Sequence, residues 1–219
     1  MKKTLLAALL GLAVGNALAF SFSDEERKQQ DAEAAAKRRA AAPLMSQECR
    51  QAIHGRTMMI VVGERTARGL NSDQGAYSSH FNAIDKRLKK LGINTITQAE
   101  MKAKIAQAEL DAYLNNDMDA ALNASKRMGT DFILKGVISS RTAMNPMIRV
   151  PEVYISMGFT LTGADGRTIS EAGARAESYS GMDTGSMAVT LINEQADGVV
   201  GRLFSDYCNA VGIGGRRRR

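Results

Sequence analysis

The chain holds two cysteines and two histidines in 219 residues, so its stock of nucleophiles, bases and soft metal ligands is small. Cys49 has His54 five residues on, and Cys208 has no Cys or His nearby. Two ligands do not make a zinc site, so the cysteines read as a disulfide or as two buried thiols. His80 falls one position off the apolar stripe of its segment, beside Phe81, which favours a structural or surface role. His54 precedes a buried apolar run and has no evident partner. A Ser-His-Asp triad needs a base held beside its nucleophile. No serine lies in Gly-x-Ser-x-Gly and none is followed by lysine at the third position, so the usual serine-enzyme signatures are missing. Gly212 to Gly215 follows a helical segment and precedes arginines, whereas a phosphate-cradling glycine loop lies between a strand and a helix. The expectation is a non-enzymatic protein with no cofactor and no metal.

Recognition residues are the remaining candidates. Gly63-Glu64-Arg65 closes a buried apolar run, where α/β domains present functional loops. It reads as a binding corner or as a plain solvated turn. The polar stretch from Arg65 to Gly75 is expected to be a loop. Its Arg65, Arg68 and Asp73 are the candidate partner-binding residues, since a guanidinium makes paired hydrogen bonds across interfaces. A loop that only connects strand to helix is the alternative, and Asp73 also suits a helix cap.

The elements that must carry these residues follow from hydropathy. Lys2 and Lys3, the apolar stretch Leu5–Val14 and Ala17-Leu18-Ala19 compose a secretory signal over residues 1–19, with cleavage before Phe20. An uncleaved anchor is the other reading, although the run is shorter than the roughly 20 residues a span requires. No Cys sits at the cut, so a soluble periplasmic product rather than a lipoprotein is expected, with no membrane span after cleavage. Residues 20–43 are a charged, alanine-rich spacer. From Asp31 to Ala42 it has no Leu, Ile, Val or Phe to bury a face. The formal charge is +6. Setting aside two lysines of the signal and the four arginines Arg216–Arg219 leaves 23 basic residues against 23 acidic. An electroneutral body with no Trp is a poor nucleic-acid binder. The arginines close a flexible tail, residues 212–219, suited to weak contact with an anionic envelope surface.

The domain proper is placed at 44–211. Thr57–Glu64 reads as a strand buried on both faces. Tyr77–Leu91 is a helix closed by Gly92. Ile93–Thr97 is a short strand, Gln98–Leu114 one helix, Asp119–Met128 another closed by Gly129, and Phe132–Ser139 a strand. Val153–Leu161 alternates strictly, Asp165-Gly166 makes a hairpin turn, and Arg167–Tyr179 returns. Val189, Ile192, Ala196, Val199, Leu203 and Tyr207 stripe a final helix. Met58, Met59, Met101, Met128 and Met157 fall at core positions, where the thioether fills irregular gaps. The fold class is therefore α/β: a single domain with a mixed sheet, a C-terminal antiparallel hairpin and helices packed on it. In an exported chain the two cysteines are expected to bond, tying the domain's start to its last helix.

The order of segments, with Gly129-Thr-Asp-Phe-Ile-Leu-Lys-Gly136 and Phe159-Thr-Leu-Thr-Gly-Ala-Asp-Gly166, resembles the periplasmic domain of LpoB-type penicillin-binding-protein activators and CsgG-type secretion lipoproteins. A related middle domain occurs in FlgT. The resemblance covers roughly residues 57–207 and implies a non-enzymatic module that binds an envelope protein, a peptidoglycan synthase being one candidate. It transfers no functional residue. A structural accessory of a flagellar or secretion machine, and a hydrolase with a site built from scattered residues, stay open as alternatives.

Overall fold

The computed structural model describes residues 45–147, 149–178 and 184–213. The signal segment, the spacer and the Arg216–Arg219 tail lie outside the described residues. Among the described residues the elements run α1 (Gln47–Ile53), β1 (Thr57–Thr66), β2 (Gly69–Asn71), α2 (Ser78–Lys90), β3 (Asn94–Thr95), α3 (Gln98–Lys104), α4 (Gln107–Leu114), α5 (Met118–Met128), β4 (Phe132–Met144), β5 (Pro151–Gly163), β6 (Thr168–Ser178) and α6 (Thr184–Ala210). Six strands form one mixed sheet in the order β2-β1-β4-β5-β6, with β3 also on β1. The α/β sheet with helices packed on it, ending in an antiparallel hairpin and a long helix, is the architecture that the hydropathy pattern indicates.

β1 is apolar on both faces because both are covered. Met58, Ile60 and Val62 join one core with α1, α2 and α6. Met59 and Val61 join a second core with Met101, Leu110, Tyr113, Leu114 and Ala124 of α3–α5. β3 and β4 both run parallel to β1, on opposite sides of it. The first crossover runs from β1 to β3 and the second from β3 back past β1 to β4, so they travel in opposite directions and place their helices on opposite faces. Asp131 joins the starts of two strands. Its carboxylate accepts the Thr57 N–H at 2.8 Å and pairs with Arg56 at 2.9 Å.

Three local expectations need correction. Residues 65–75 are not a plain loop: β1 continues to Thr66 and turns back through β2, with Arg65 paired to Leu70. The Gln98–Leu114 helix is broken at Ile105 and Ala106, both extended. Ile105 and Leu110 are five apart, which a 3.6-residue period cannot keep on one stripe, and the break lets both be buried. α1 was not anticipated. Ser46 caps it by accepting the Cys49 N–H, and Cys49 and Ile53, one turn apart, face the core.

Gln74 completes the outer edge of β1. β3 pairs with residues 57–58 and β2 with residues 64–66, which leaves the backbone between them without a strand. The buried Gln74 side chain fills that gap: Oε1 accepts the Val62 N–H at 3.0 Å, and Nε2 donates to the Val62 carbonyl at 2.8 Å. Cys49 and Cys208 are disulfide-bonded across a separation of 159 residues, with Cα atoms 5.7 Å apart. The bond ties the seven-residue α1 to the end of α6, and α1 is too short to hold itself.

Candidate functional site

The sheet is covered unevenly. On β4, β5 and β6 one face carries Leu134, Ile138, Ile155, Met157, Phe159 and Ala174, all buried against α6 and its neighbours. On the opposite face the same strands present Ser139, Arg141, Tyr154, Ser156, Gly158, Glu171, Gly173 and Arg175. Gly158 and Gly173, in the middle of the strands, are exposed, so no helix among the described residues covers this half of the sheet. Small residues at its centre leave the face shallow.

Strand register assembles a band of side chains there. Arg65 pairs with Ser139, Ser139 with Ser156 and Ser156 with Arg175. A single cross-strand row therefore reads Arg65–Ser139–Ser156–Arg175. Four strands at about 4.8 Å spacing put its two arginines about 14 Å apart at the backbone. Arg65, Arg141 and Arg175 are exposed. The Arg141 guanidinium lies 4.2 Å from the centroid of the Tyr154 ring, a cation–π stack that presents the planar fork outward. The Tyr154 hydroxyl donates to Glu152, and Asn145 donates to the other oxygen of that carboxylate. These two bonds hold the Glu152 carboxyl below its ordinary range. A cavity of 310 Å³ opens between Ser139, Arg141, Tyr154, Ser156 and Arg175.

Two neighbouring features border the band. The end of β4 and the β4–β5 connection project past the end of β1 and carry Met144 and Met147 respectively, which are 64% and 90% exposed. Exposed methionines of this kind adapt to varied partner surfaces. Two same-face rows along from Ser139, Lys135 is buried. It donates to Asn116 Oδ1 at 2.5 Å and sits 5.4 Å from the Tyr113 ring centroid. Burial lowers its ammonium pKa, and Glu171 opposes that shift, so Glu171 belongs to Lys135 more than to the arginine band.

The residues singled out from sequence are distributed differently from the expectation of one loop. Arg65 lies on β1 and joins the band. Arg68 is exposed at the β1–β2 turn, where its N–H is held by the Thr66 hydroxyl at 3.2 Å. Asp73 is spent locally: Oδ1 accepts the Gly75 N–H at 3.0 Å, an Asx turn leading toward α2. Ser72 is pinned by Asp111 and by Gln107 at 2.7 Å, so this stretch is held against α4. Glu64 is on the opposite sheet face, where its carboxylate lies 3.4 Å from the Tyr77 hydroxyl. Arg141, Tyr154 and Arg175 were not anticipated. The strict alternation of Val153–Leu161 marks a polar face but does not tell which strands border it.

The histidines do not meet a catalytic constellation. His80 is buried on α2, its Nε2 lies 3.1 Å from the Gly185 carbonyl, and its ring meets Tyr77 edge-on. His54 ends α1 in an exposed position against Gly92. Among the described residues no three His, Cys, Asp or Glu side chains gather as a metal ion requires. No helix there is long and apolar enough to cross a membrane.

No family model matches the chain, and no curated protein matches it in sequence. Among solved structures, a PelC dodecamer from Paraburkholderia phytofirmans is 13% identical, with 68% of this chain and 87% of that chain covered at a TM-score of 0.39. Lipoprotein GNA1162 from Neisseria meningitidis is 14% identical over 65% of this chain and 99% of that one, TM-score 0.38. The LpoB C-terminal domain from Salmonella enterica is 12% identical over 56% and 83%, TM-score 0.36. The likeness is one of fold.

Proposed function

We propose that this protein is a non-enzymatic periplasmic adaptor that docks on another envelope protein through the bare half of its sheet. The observation that carries the reading is the row Arg65–Ser139–Ser156–Arg175 with Arg141 stacked on Tyr154 beside it. Arginine and tyrosine are the residue types that anchor protein interfaces, and here they stand on rigid strands with hydroxyls and glycines between them. The exposed Met144 and Met147 supply apolar contact at one border, and Arg68 extends the surface at the β1–β2 turn. Asp73 contributes by shaping the connection from β2 to α2. The leader-like start and the segment order shared with LpoB-type activators favour an envelope partner, a peptidoglycan synthase being one to test first.

The experiment is a crosslinking pull-down from envelope extract at physiological salt, with wild-type protein and an Arg65→Ala/Arg68→Ala variant side by side. A specific partner retained by the wild type and depleted with the variant is expected. Recovery of no specific protein would sink the adaptor reading. Equal recovery with both would move the interface off this edge of the band.

A further inference from the structure

A second surface lies at the other end of β1. The groove between α1 and the C-terminal end of α2 has a volume of 880 Å³ and is lined by Gln47, Arg50, Gln51, His54, Lys89 and Lys90 over a floor that includes Gly92. Among the described residues no carboxylate lines it. A body with as many acidic as basic residues has thus segregated its charge here. Lysines in the last turn of α2 offset the helix dipole, which accounts for Lys89 and Lys90 alone. It does not account for Arg50 and two glutamine amides converging on them from another helix. Lys89 also bonds Asp85 one turn back at 2.9 Å, yet stays 58% exposed at its side chain.

The groove is built to persist. α1 is anchored by the Cys49–Cys208 bond next to Arg50, and by the fully buried Ile53. Gly92 has φ +77°, and a Cβ there would fall 2.2 Å from His54 Cδ2. The His54 ring therefore takes the space that any side chain at position 92 would occupy.

We infer that this groove seats the phosphodiester headgroups of an anionic bilayer surface. Lysine is a compact point charge suited to diffuse phosphate, whereas paired recognition of carboxylates favours the arginine fork. The lining offers cations and amide donors but only Leu91 as an apolar contact, so a peptide would find little to anchor it. Lys37, Arg38 and Arg39 precede α1 by eight to ten residues in the sequence, so the chain leading into α1 is itself basic. The groove lies eight residues of strand, about 26 Å, from the Arg65 row. One end would then meet the membrane while the other meets a protein, and the inference does not depend on the adaptor reading.

The test uses full-length protein purified from the envelope fraction and sedimented with vesicles of phosphatidylcholine alone or with one quarter phosphatidylglycerol. Each cation near such a surface adds about fivefold to partitioning. Wild type should partition onto the anionic vesicles and be released by 0.5 M salt. Arg50→Gln/Lys89→Gln/Lys90→Gln should weaken this at least tenfold with an unchanged melting curve. Arg50→Gln/Lys90→Gln, which keeps the Asp85–Lys89 pair, should also weaken it at least tenfold. Deleting Arg216–Arg219 should change it less than either variant does. Unchanged partitioning of both groove variants, or equal binding to neutral vesicles, would overturn the inference. So would saturable binding of inorganic phosphate, or of a hexaglutamate peptide, by protein that does not sediment with anionic vesicles.

Discussion

Arg65 and Arg175 stand at the two ends of one cross-strand row, joined through Ser139 and Ser156, although one comes from the first strand of the domain and the other from the last. If both contact one partner, their effects on binding should be linked. Arg65→Ala and Arg175→Ala should each weaken binding about tenfold, as interface arginines commonly do. The melting temperature should stay the same, because both are exposed. Affinity for the recovered partner, measured in a double-mutant cycle, checks this. Unaltered affinity in the double variant would move the interface elsewhere.

Gln74→Ala should destabilise the protein by about 2–4 kcal/mol, because it strands the buried N–H and carbonyl of Val62 together. Denaturant unfolding would read this as a lower midpoint with an unchanged slope. A loss below 0.5 kcal/mol would mean that water replaces the side chain at the edge of β1.

Gly92→Ala should cost more than the 1–2 kcal/mol of a left-handed non-glycine residue, because its Cβ also meets His54. Adding His54→Ala should recover the steric part and leave the conformational part. Additive effects in the two variants would show that the ring swings away freely.

Replacing both Cys49 and Cys208 by alanine should lower stability by about 4–5 kcal/mol in the chain-entropy account of so long a loop. α1 should lose hydrogen-exchange protection first, since it is short and covalently tethered. Peptide mapping without reductant checks the bond itself; free thiols in periplasmic material would contradict it.

Burial, with the Glu64 carboxylate as a second cause, pushes the Tyr77 phenol up to about 12. An unfolded tyrosine ionises near 10. The folded state therefore holds its proton more tightly, and this contribution is complete below pH 10 and lost as pH rises from about 10 to 12. Tyr77→Phe should flatten the fall in unfolding midpoint between pH 10 and 12. A parallel fall in both proteins would assign the alkaline loss to other groups.

Much of this was legible in the residues. Within Thr57–Glu64, Met58–Val62 is apolar at every position, which requires a strand covered on both sides, and the structure covers both. Val153–Leu161 alternates, which requires one buried and one polar face, and Asp165-Gly166 turns the chain back. The five core methionines are all buried. Periodicity failed where partners were non-local. Residues 65–75 looked like a loop because β2 is three residues long and Gln74 acts as strand backbone, a role written in no propensity.

The sequence by itself determined the alternation of faces, the order of the longer strands and helices, the absence of familiar catalytic motifs and the pair of cysteines able to close the domain. Those follow from local hydropathy and residue chemistry, which need no knowledge of neighbours. Only the tertiary structure decided which polar face remains bare and which arginines share it. Register across β1, β4, β5 and β6 is set by long-range hydrogen bonds, and a one-residue slip would send Arg65 or Arg175 to the buried side.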